Sequence, residues 1–97
     1  MASDLWLDEH GAEQVRDWLL RGNHTLEQRA FVRRVLEGVA TRTEYDQLGV
    51  VRRDLSGDQV AITDPSDASI SVVITPYADE ETTFSVLYVG DLGDLDA

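Results

Sequence analysis

Two histidines, His10 and His24, are the side chains of this chain that could act as general bases near neutral pH. Each lies at the start of a predicted helix, beside Gly11 or Asn23, where exposed loop histidines are common. No Ser-His-Asp constellation or phosphate-cradling Gly loop accompanies them, and the chain contains no Cys. We therefore predict no catalytic residues and a protein that is not an enzyme.

Carboxylates at short spacings are the second kind of group that could do chemistry, because hard cations need several oxygens in one loop. They occur in Asp54–Asp58 (DLSGD), Asp64–Asp67 (DPSD) and Asp91–Asp96 (DLGDLD). A calcium loop has a longer and stricter pattern than any of these segments. We interpret them as turns and a solvated tail, and we predict no metal site and no cofactor.

The charges are distributed unevenly along the chain. Its 97 residues carry a net charge of −11, and all eight cations are Arg. These Arg lie within residues 16–53, where five acids leave a charge of +3, whereas residues 1–15 carry −4 and residues 54–97 carry −10. A C-terminal half with this field favours a basic protein partner and repels the phosphates of nucleic acid.

The same composition could also arise without any binding partner. Proteins of salt-loving organisms are acidic and poor in Lys, and genomes of high GC content favour Arg over Lys. Composition alone does not separate a halophile-type acidic domain from a dedicated acidic binding face. The absence of Cys, of a basic and apolar leader and of any long apolar run predicts a cytoplasmic protein without a membrane segment.

The first half of the chain, about residues 8–48, is predicted to be mainly helical. One helix extends from about His10 to Arg21 and ends at Gly22-Asn23. A capping-box pattern starts the next helix at Thr25, and a short helical segment covers Glu44–Leu48. The apolar positions at helical spacing in the second helix are Val32, Val35, Leu36 and Val39. The two long helices are expected to form an antiparallel hairpin.

The second half, about residues 50–90, changes to a period of two and predicts an antiparallel four-stranded β-meander. The predicted strands are Val50–Leu55, Gln59–Thr63, Ser69–Thr75 and Thr83–Val89. The side chains expected to face the helices are Val60, Ile62, Ile70, Val72, Ile74, Phe84, Val86 and Tyr88. Exposed apolar residues on the opposite face, Val73, Leu87 and Val89, would indicate a homodimer or a covered partner surface.

The whole chain, residues 1–97, is therefore predicted to be a single α+β domain. Its N-terminal helical hairpin packs on the C-terminal meander, and residues 91–97 form an acidic tail. The stretch Asp4–Leu7 could add a short strand or place Trp6 over the first helix. Trp6 and Trp18 are both expected to be core or staple residues.

This order of elements resembles that of the RelE/ParE toxin superfamily. The local likeness is Ser71–Leu92, SVVITPYADEETTFSVLYVGDL, which is similar to the last hairpin of that family up to the Val-Gly pair. The resemblance implies a ribonuclease fold with basic residues after that pair. Here Val89-Gly90 is followed by Asp91-Leu92, and Tyr77 and Tyr88 are the aromatic candidates left. The RNA-cleaving chemistry, which needs positive groups, is therefore expected to be lost.

A second segment, Thr43–Arg53 (TEYDQLGVVRR), looks like the second helix and turn of a helix-turn-helix DNA reader. The acidic surroundings oppose docking of such a helix on DNA. Six Arg residues between positions 29 and 53 form the predicted basic patch, composed of Arg29, Arg33, Arg34, Arg42, Arg52 and Arg53. We favour internal complementarity with the acidic meander for this patch over a separate anion or partner site.

These observations favour a non-catalytic protein-interaction module, of the inhibitor, immunity or antitoxin-like kind, that binds a basic protein surface. The residues expected to contact the partner are Asp64, Asp67, Asp79, Glu80 and Glu81. A degenerate RelE/ParE-like protein that acts on a protein target or on RNA is the alternative.

Overall fold

A computed structural model describes residues 5–55, 59–75 and 82–92. The elements in chain order are β1 (Trp6–Leu7), α1 (Glu9–Arg21), α2 (Leu26–Ala40), α3 (Tyr45–Leu48), β2 (Val51–Leu55), β3 (Gln59–Asp64), β4 (Asp67–Ile74), β5 (Thr83–Phe84) and β6 (Val86–Gly90). The four-stranded sheet has the order β2-β3-β4-β6 with antiparallel neighbours, and β1 pairs with β5 in parallel. The predicted α+β class and the antiparallel four-stranded sheet are confirmed.

Both long helices begin and end where local chemistry requires it. Asp8 caps α1 by accepting a hydrogen bond of 2.7 Å from the backbone N–H of Gly11. Gly22, with φ of 74°, follows the last residue of α1. The capping box of α2 is present as predicted, because the Thr25 hydroxyl accepts from the Gln28 N–H at 3.0 Å and the Gln28 side chain accepts from the Thr25 N–H at 3.1 Å.

The helices contact the sheet and β1 more closely than they contact each other. The main neighbour of α1 is β6, whereas α2 lies against β4 and β1. The predicted hairpin is therefore only partly matched: the two helices follow one another across a short connection, but an apolar groove separates their facing sides. This arrangement leaves side chains of both helices accessible.

A β-bulge decides which residues of the last strand enter the core. Val73 pairs with Tyr88, but the next residue, Ile74, pairs with Val86, so Leu87 is passed over. The alternation of faces shifts by one residue at this point. Val86 and Val89 therefore lie in the core, whereas Tyr88, which was predicted to pack on the helices, is half-buried and lies outside the core. The remaining predicted core positions of the sheet are confirmed: Val60, Ile62, Ile70, Val72, Ile74, Phe84 and Val86.

The second face of the sheet is not the exposed apolar surface that the alternation predicted. Val73 is 1% exposed and Leu87 is half-buried, and the bulge moves Val89 to the core face. Ser71 is also buried there, and its hydroxyl makes a 2.7 Å hydrogen bond with the hydroxyl of Thr63 on β3. β4 is buried on both faces from Ile70 to Ile74, and four of these five residues are apolar, as is typical of a strand that is buried on both faces.

Gly11 is the point at which α1 approaches the sheet, and it yields a test of this packing. A Cβ at position 11 would lie 2.7 Å from the backbone nitrogen of Val86 and 2.6 Å from Cδ1 of Leu7. We expect Gly11→Ala to lower the free energy of unfolding by about 1–3 kcal/mol through overpacking, although helix propensity alone favours Ala by about 1 kcal/mol. Urea unfolding followed by circular dichroism measures the difference.

The exposed neighbour Ala12 provides the control, because Ala12→Gly changes helix propensity without meeting the sheet. It is expected to lose about 1 kcal/mol. A Gly11→Ala protein that is more stable than the parent would contradict the close contact between α1 and β6.

Candidate functional site

Trp6 is an exposed aromatic side chain at a position where the sequence predicted a core or staple residue. Its exposed fraction is 74%, whereas Trp18 is 4% exposed and belongs to the core. The core or staple assignment is thus right for Trp18 and wrong for Trp6. The cause is strand alternation: Leu5 is buried, Leu7 packs against the core, and the residue between them points the opposite way.

Trp6 borders an apolar groove of about 330 Å³, which we call the Trp6 groove. Backbone hydrogen bonds hold Trp6 in place. The N–H of Trp6 donates to the carbonyl of Thr82 at 2.8 Å, and the N–H of Leu5 donates to the carbonyl of Ala40 at 2.7 Å. Its lining is apolar except for one carboxylate, and consists of Leu5, Trp6, Leu7, Leu36, Glu37, Ala40 and Phe84. A groove of this composition can take an apolar side chain with a cation beside it.

A second groove of about 320 Å³, the interhelix groove, lies between α1 and α2. It is lined by Val15, Trp18, Leu19, Arg29, Val32, Arg33, Leu36 and Glu37. Leu36 and Glu37 also line the Trp6 groove, so the two grooves adjoin along α2. Leu19 remains 44% exposed at this site. Together the two grooves form one longer apolar depression along α2. The helical and strand periodicities of the sequence did not predict it.

The five acidic residues predicted to meet a partner divide into two groups. Asp79, Glu80 and Glu81 lie outside the described residues, but they come immediately before Thr82, the residue bonded to Trp6. Asp64 and Asp67 flank the turn between β3 and β4, as predicted. Their side chains accept hydrogen bonds within that turn.

Asp67 is the more constrained of these two carboxylates. Its Oδ1 accepts from the N–H of Ser69 at 3.0 Å and from the Ser69 hydroxyl at 2.5 Å. Its Oδ2 accepts from the side-chain amide of Gln28 on α2 at 3.1 Å. Asp67 therefore ties the β3–β4 turn to the start of α2, which is a structural role in addition to its charge.

The predicted basic patch is distributed over α2, the turn that follows it, which contains Arg42, and β2. Arg33 pairs with Glu37 at 2.9 Å, and Arg52 pairs with Asp54 at 3.1 Å. Two guanidinium groups also lie over aromatic rings, Arg34 at 5.5 Å from the centroid of Phe31 and Arg52 at 5.1 Å from that of Tyr45. Arg29 lines the interhelix groove, and Arg53 is exposed on β2. Exposed pairs of this kind contribute about 0–1 kcal/mol each.

A polar cleft of about 240 Å³ surrounds the second histidine. The ring of His24 stacks on Trp18 with centroids 3.9 Å apart, and its Nε2 lies 2.6 Å from the Trp18 carbonyl oxygen. Across the cleft, the hydroxyl of Tyr88 donates to the carbonyl of Asp91 at 2.8 Å. The hydrogen bond of His24 thus goes to a backbone carbonyl, which ties its ring to the last turns of α1.

His10, by contrast, is exposed in the first turn of α1, as predicted. The stacking of His24 was missed by the sequence analysis, and its signal lies in the two residues before it. Gly22 and Asn23 both have positive φ, which turns the chain back over the end of α1.

In the part of the chain that the structure describes, no group of three His, Asp or Glu could hold a metal ion, and no buried side-chain nitrogen or oxygen lacks a hydrogen-bond partner.

No protein-family model matches this chain, and no curated protein or solved structure is detectably similar to it. No helix within the described residues has the length and apolar character needed to cross a bilayer. The chemistry of the site is therefore inferred from its own geometry.

The hydrogen bonds of Asp67 predict a pH dependence of stability. The hydroxyl and backbone N–H of Ser69, and then the amide of Gln28, hold the pKa of Asp67 below its ordinary value of 3.8. A depressed folded-state pKa means that Asp67 stabilises the fold above the unfolded value, and that this contribution is lost as the pH falls through the folded value.

We therefore expect Asp67→Asn to lose less stability than the parent protein when the pH is lowered from about 5 to about 2. Asp17→Asn, an exposed substitution on α1, controls for the loss of one negative charge. The measurement is thermal unfolding at each pH. Equal slopes for the parent and Asp67→Asn would contradict the role assigned to this carboxylate.

Proposed function

We propose that this protein is a non-catalytic protein-interaction module that binds an apolar segment flanked by basic residues. The observation that carries the proposal is the exposure of Trp6, 74%, at the border of the Trp6 groove. Exposed aromatic residues beside apolar depressions are characteristic of interaction sites, in which Trp is enriched among the residues that dominate binding energy.

The position of the acidic residues supports a basic partner. Asp79, Glu80 and Glu81 precede Thr82, whose carbonyl accepts from the Trp6 N–H, and Glu37 lines the groove itself. A partner that places an apolar side chain in the groove could therefore bring a cation to the Glu37 carboxylate, and the acidic segment is adjacent to Thr82 in the sequence. Complementary charge of this kind accelerates association and rejects wrong partners more than it increases affinity.

The interhelix groove extends the same surface. It adjoins the Trp6 groove at Leu36, and Leu19 stays 44% exposed within it. A bound segment of several residues could cover both grooves and bury these apolar side chains. Covering both grooves would enlarge the contact, as an inhibitor, immunity or antitoxin-like protein that blocks a basic surface requires.

A selection of peptides from a random library on the immobilised protein tests the proposal. We expect the selected peptides to combine apolar residues with Lys or Arg, and to bind Trp6→Ala at least about 30-fold more weakly, since truncating a central Trp costs about 2 kcal/mol or more. The control is Leu20→Ala, because Leu20 is 76% exposed but borders neither groove. Peptides that bind Trp6→Ala and the parent equally well would refute the assignment of the site.

Charge reversal separates the acidic contribution from the apolar one. The triple variant Asp79→Lys, Glu80→Lys and Glu81→Lys is expected to slow association of a selected basic peptide and to flatten its dependence on salt. Reversal of three exposed acids elsewhere, Glu13, Asp17 and Asp46, provides a variant with the same net charge. If both variants slow association equally, the effect belongs to the net charge and not to this segment.

A second proposal is a degenerate RelE/ParE-like protein that acts on a protein target or on RNA. It is favoured by the order of a short strand, helices and an antiparallel meander, which the superfamily shares. Expression in bacteria distinguishes the two proposals, because a toxin is expected to arrest growth and an interaction module of the inhibitor kind is not.

A further inference from the structure

The outer edge of β2 is a surface that the proposed function does not use. In the four-stranded sheet β2 has a single neighbour, β3, and within the described residues no other strand pairs with it. Four of its residues, Val51 to Asp54, are exposed, and Val51 is 50% exposed. An edge strand of this length carries unpaired backbone groups, and it contains no Pro or bulge, so further pairing depends on how its charged residues Arg52, Arg53 and Asp54 are opposed.

The sequence of β2, VRRDL, is complementary to itself in one antiparallel register. If two copies pair about a two-fold axis through Arg53, each Arg52 lies opposite Asp54 of the other copy. The same register places Val51 opposite Leu55 at both ends of the pair. Directly opposed unlike charges and apolar pairs stabilise antiparallel strands.

We propose that two copies of this chain associate through β2, edge to edge, to form one continuous eight-stranded sheet from two copies of the four-stranded sheet. A two-fold contact of this kind is isologous, so every complementary pair occurs twice. The inference is independent of the proposed function, because β2 contributes to neither the Trp6 groove nor the interhelix groove.

Arg53 sets the strength of this association. In the proposed register it lies opposite its own copy, and like charges in direct opposition are destabilising. The ion pair between Arg52 and Asp54 within one strand also competes with the pairing between copies, although both side chains are more than half exposed. We therefore expect a weak, concentration-dependent dimer, which Arg53→Thr strengthens by removing the repulsion.

Sedimentation velocity over a concentration series of the full chain is the experiment. We expect the parent protein to dimerise at high micromolar concentration. Asp54→Arg places an Arg opposite Arg52 of the other copy at two positions of the pair, and we expect it to weaken the dimer about tenfold or more. The double variant Arg52→Asp with Asp54→Arg restores complementarity and is expected to recover the parent behaviour. Asp46→Arg, an exposed charge change on α3, controls for the altered net charge.

The weaker dimerisation expected of Asp54→Arg is opposite to what its change in net charge alone would cause. Asp54→Arg lowers the net negative charge of each copy, so general electrostatics alone would promote association. A parent protein that stays monomeric throughout the series overturns the inference. So does a dimer that Asp54→Arg leaves intact, or one that the double variant fails to restore while circular dichroism shows all variants to be folded.

Discussion

The fold depends on the two-sided burial of β4. Its residues from Ile70 to Ile74 are buried without interruption, with β3 and β6 as neighbours on either side and α2 packed nearby. The bulge at Val73 and Ile74 is part of the same constraint, since it allows both Val86 and Val89 to enter the core from a strand whose alternation would admit only one of them. α1 then seats on β6, and its close approach requires a residue without a side chain at Gly11.

The same arrangement explains why polar side chains cluster where they do. Gln28 both completes the cap of α2 and donates to Asp67 and Ser69 at the start of β4, so one side chain joins the helical half to the meander. Trp18 buries its ring between these halves and carries His24 on its outer side. The polar cleft is therefore a consequence of joining the two halves, whereas Trp6 is a large apolar side chain that the fold leaves exposed beside a groove.

Local chemistry made much of this predictable from the sequence. The capping box at Thr25, the stop at Gly22 and the turn at Asp64–Asp67 all act within a few residues, and each is found as predicted. The misassigned residues depend on pairing between distant segments. The side of the sheet taken by Tyr88 follows from a bulge, and the exposure of Trp6 follows from the alternation of faces in a two-residue strand that forms by pairing with β5. Neither leaves a signal in hydrophobic periodicity, which reports only the ideal repeat.

The proposed binding surface also required the structure, because its residues come from four separate elements. Sequence alone indicated the acidic segment Asp79–Glu81 and predicted Trp6 to be a core or staple residue. The hydrogen bond from Trp6 to Thr82 links the exposed aromatic residue to the residue that follows this acidic segment in the sequence. In this account the acidic residues serve recognition, and the fold does not need high salt to tolerate them.

Thermal unfolding between about 0.1 and about 3 M KCl tests that claim most directly, since simple screening is nearly complete at about 1 M, where the Debye length is ~3 Å. We expect the melting temperature to rise at first, as self-repulsion is screened, and to reach a plateau by about 1 M. A melting temperature that continues to climb well beyond this concentration would show that the acidity is an adaptation to salt, and would contradict the account.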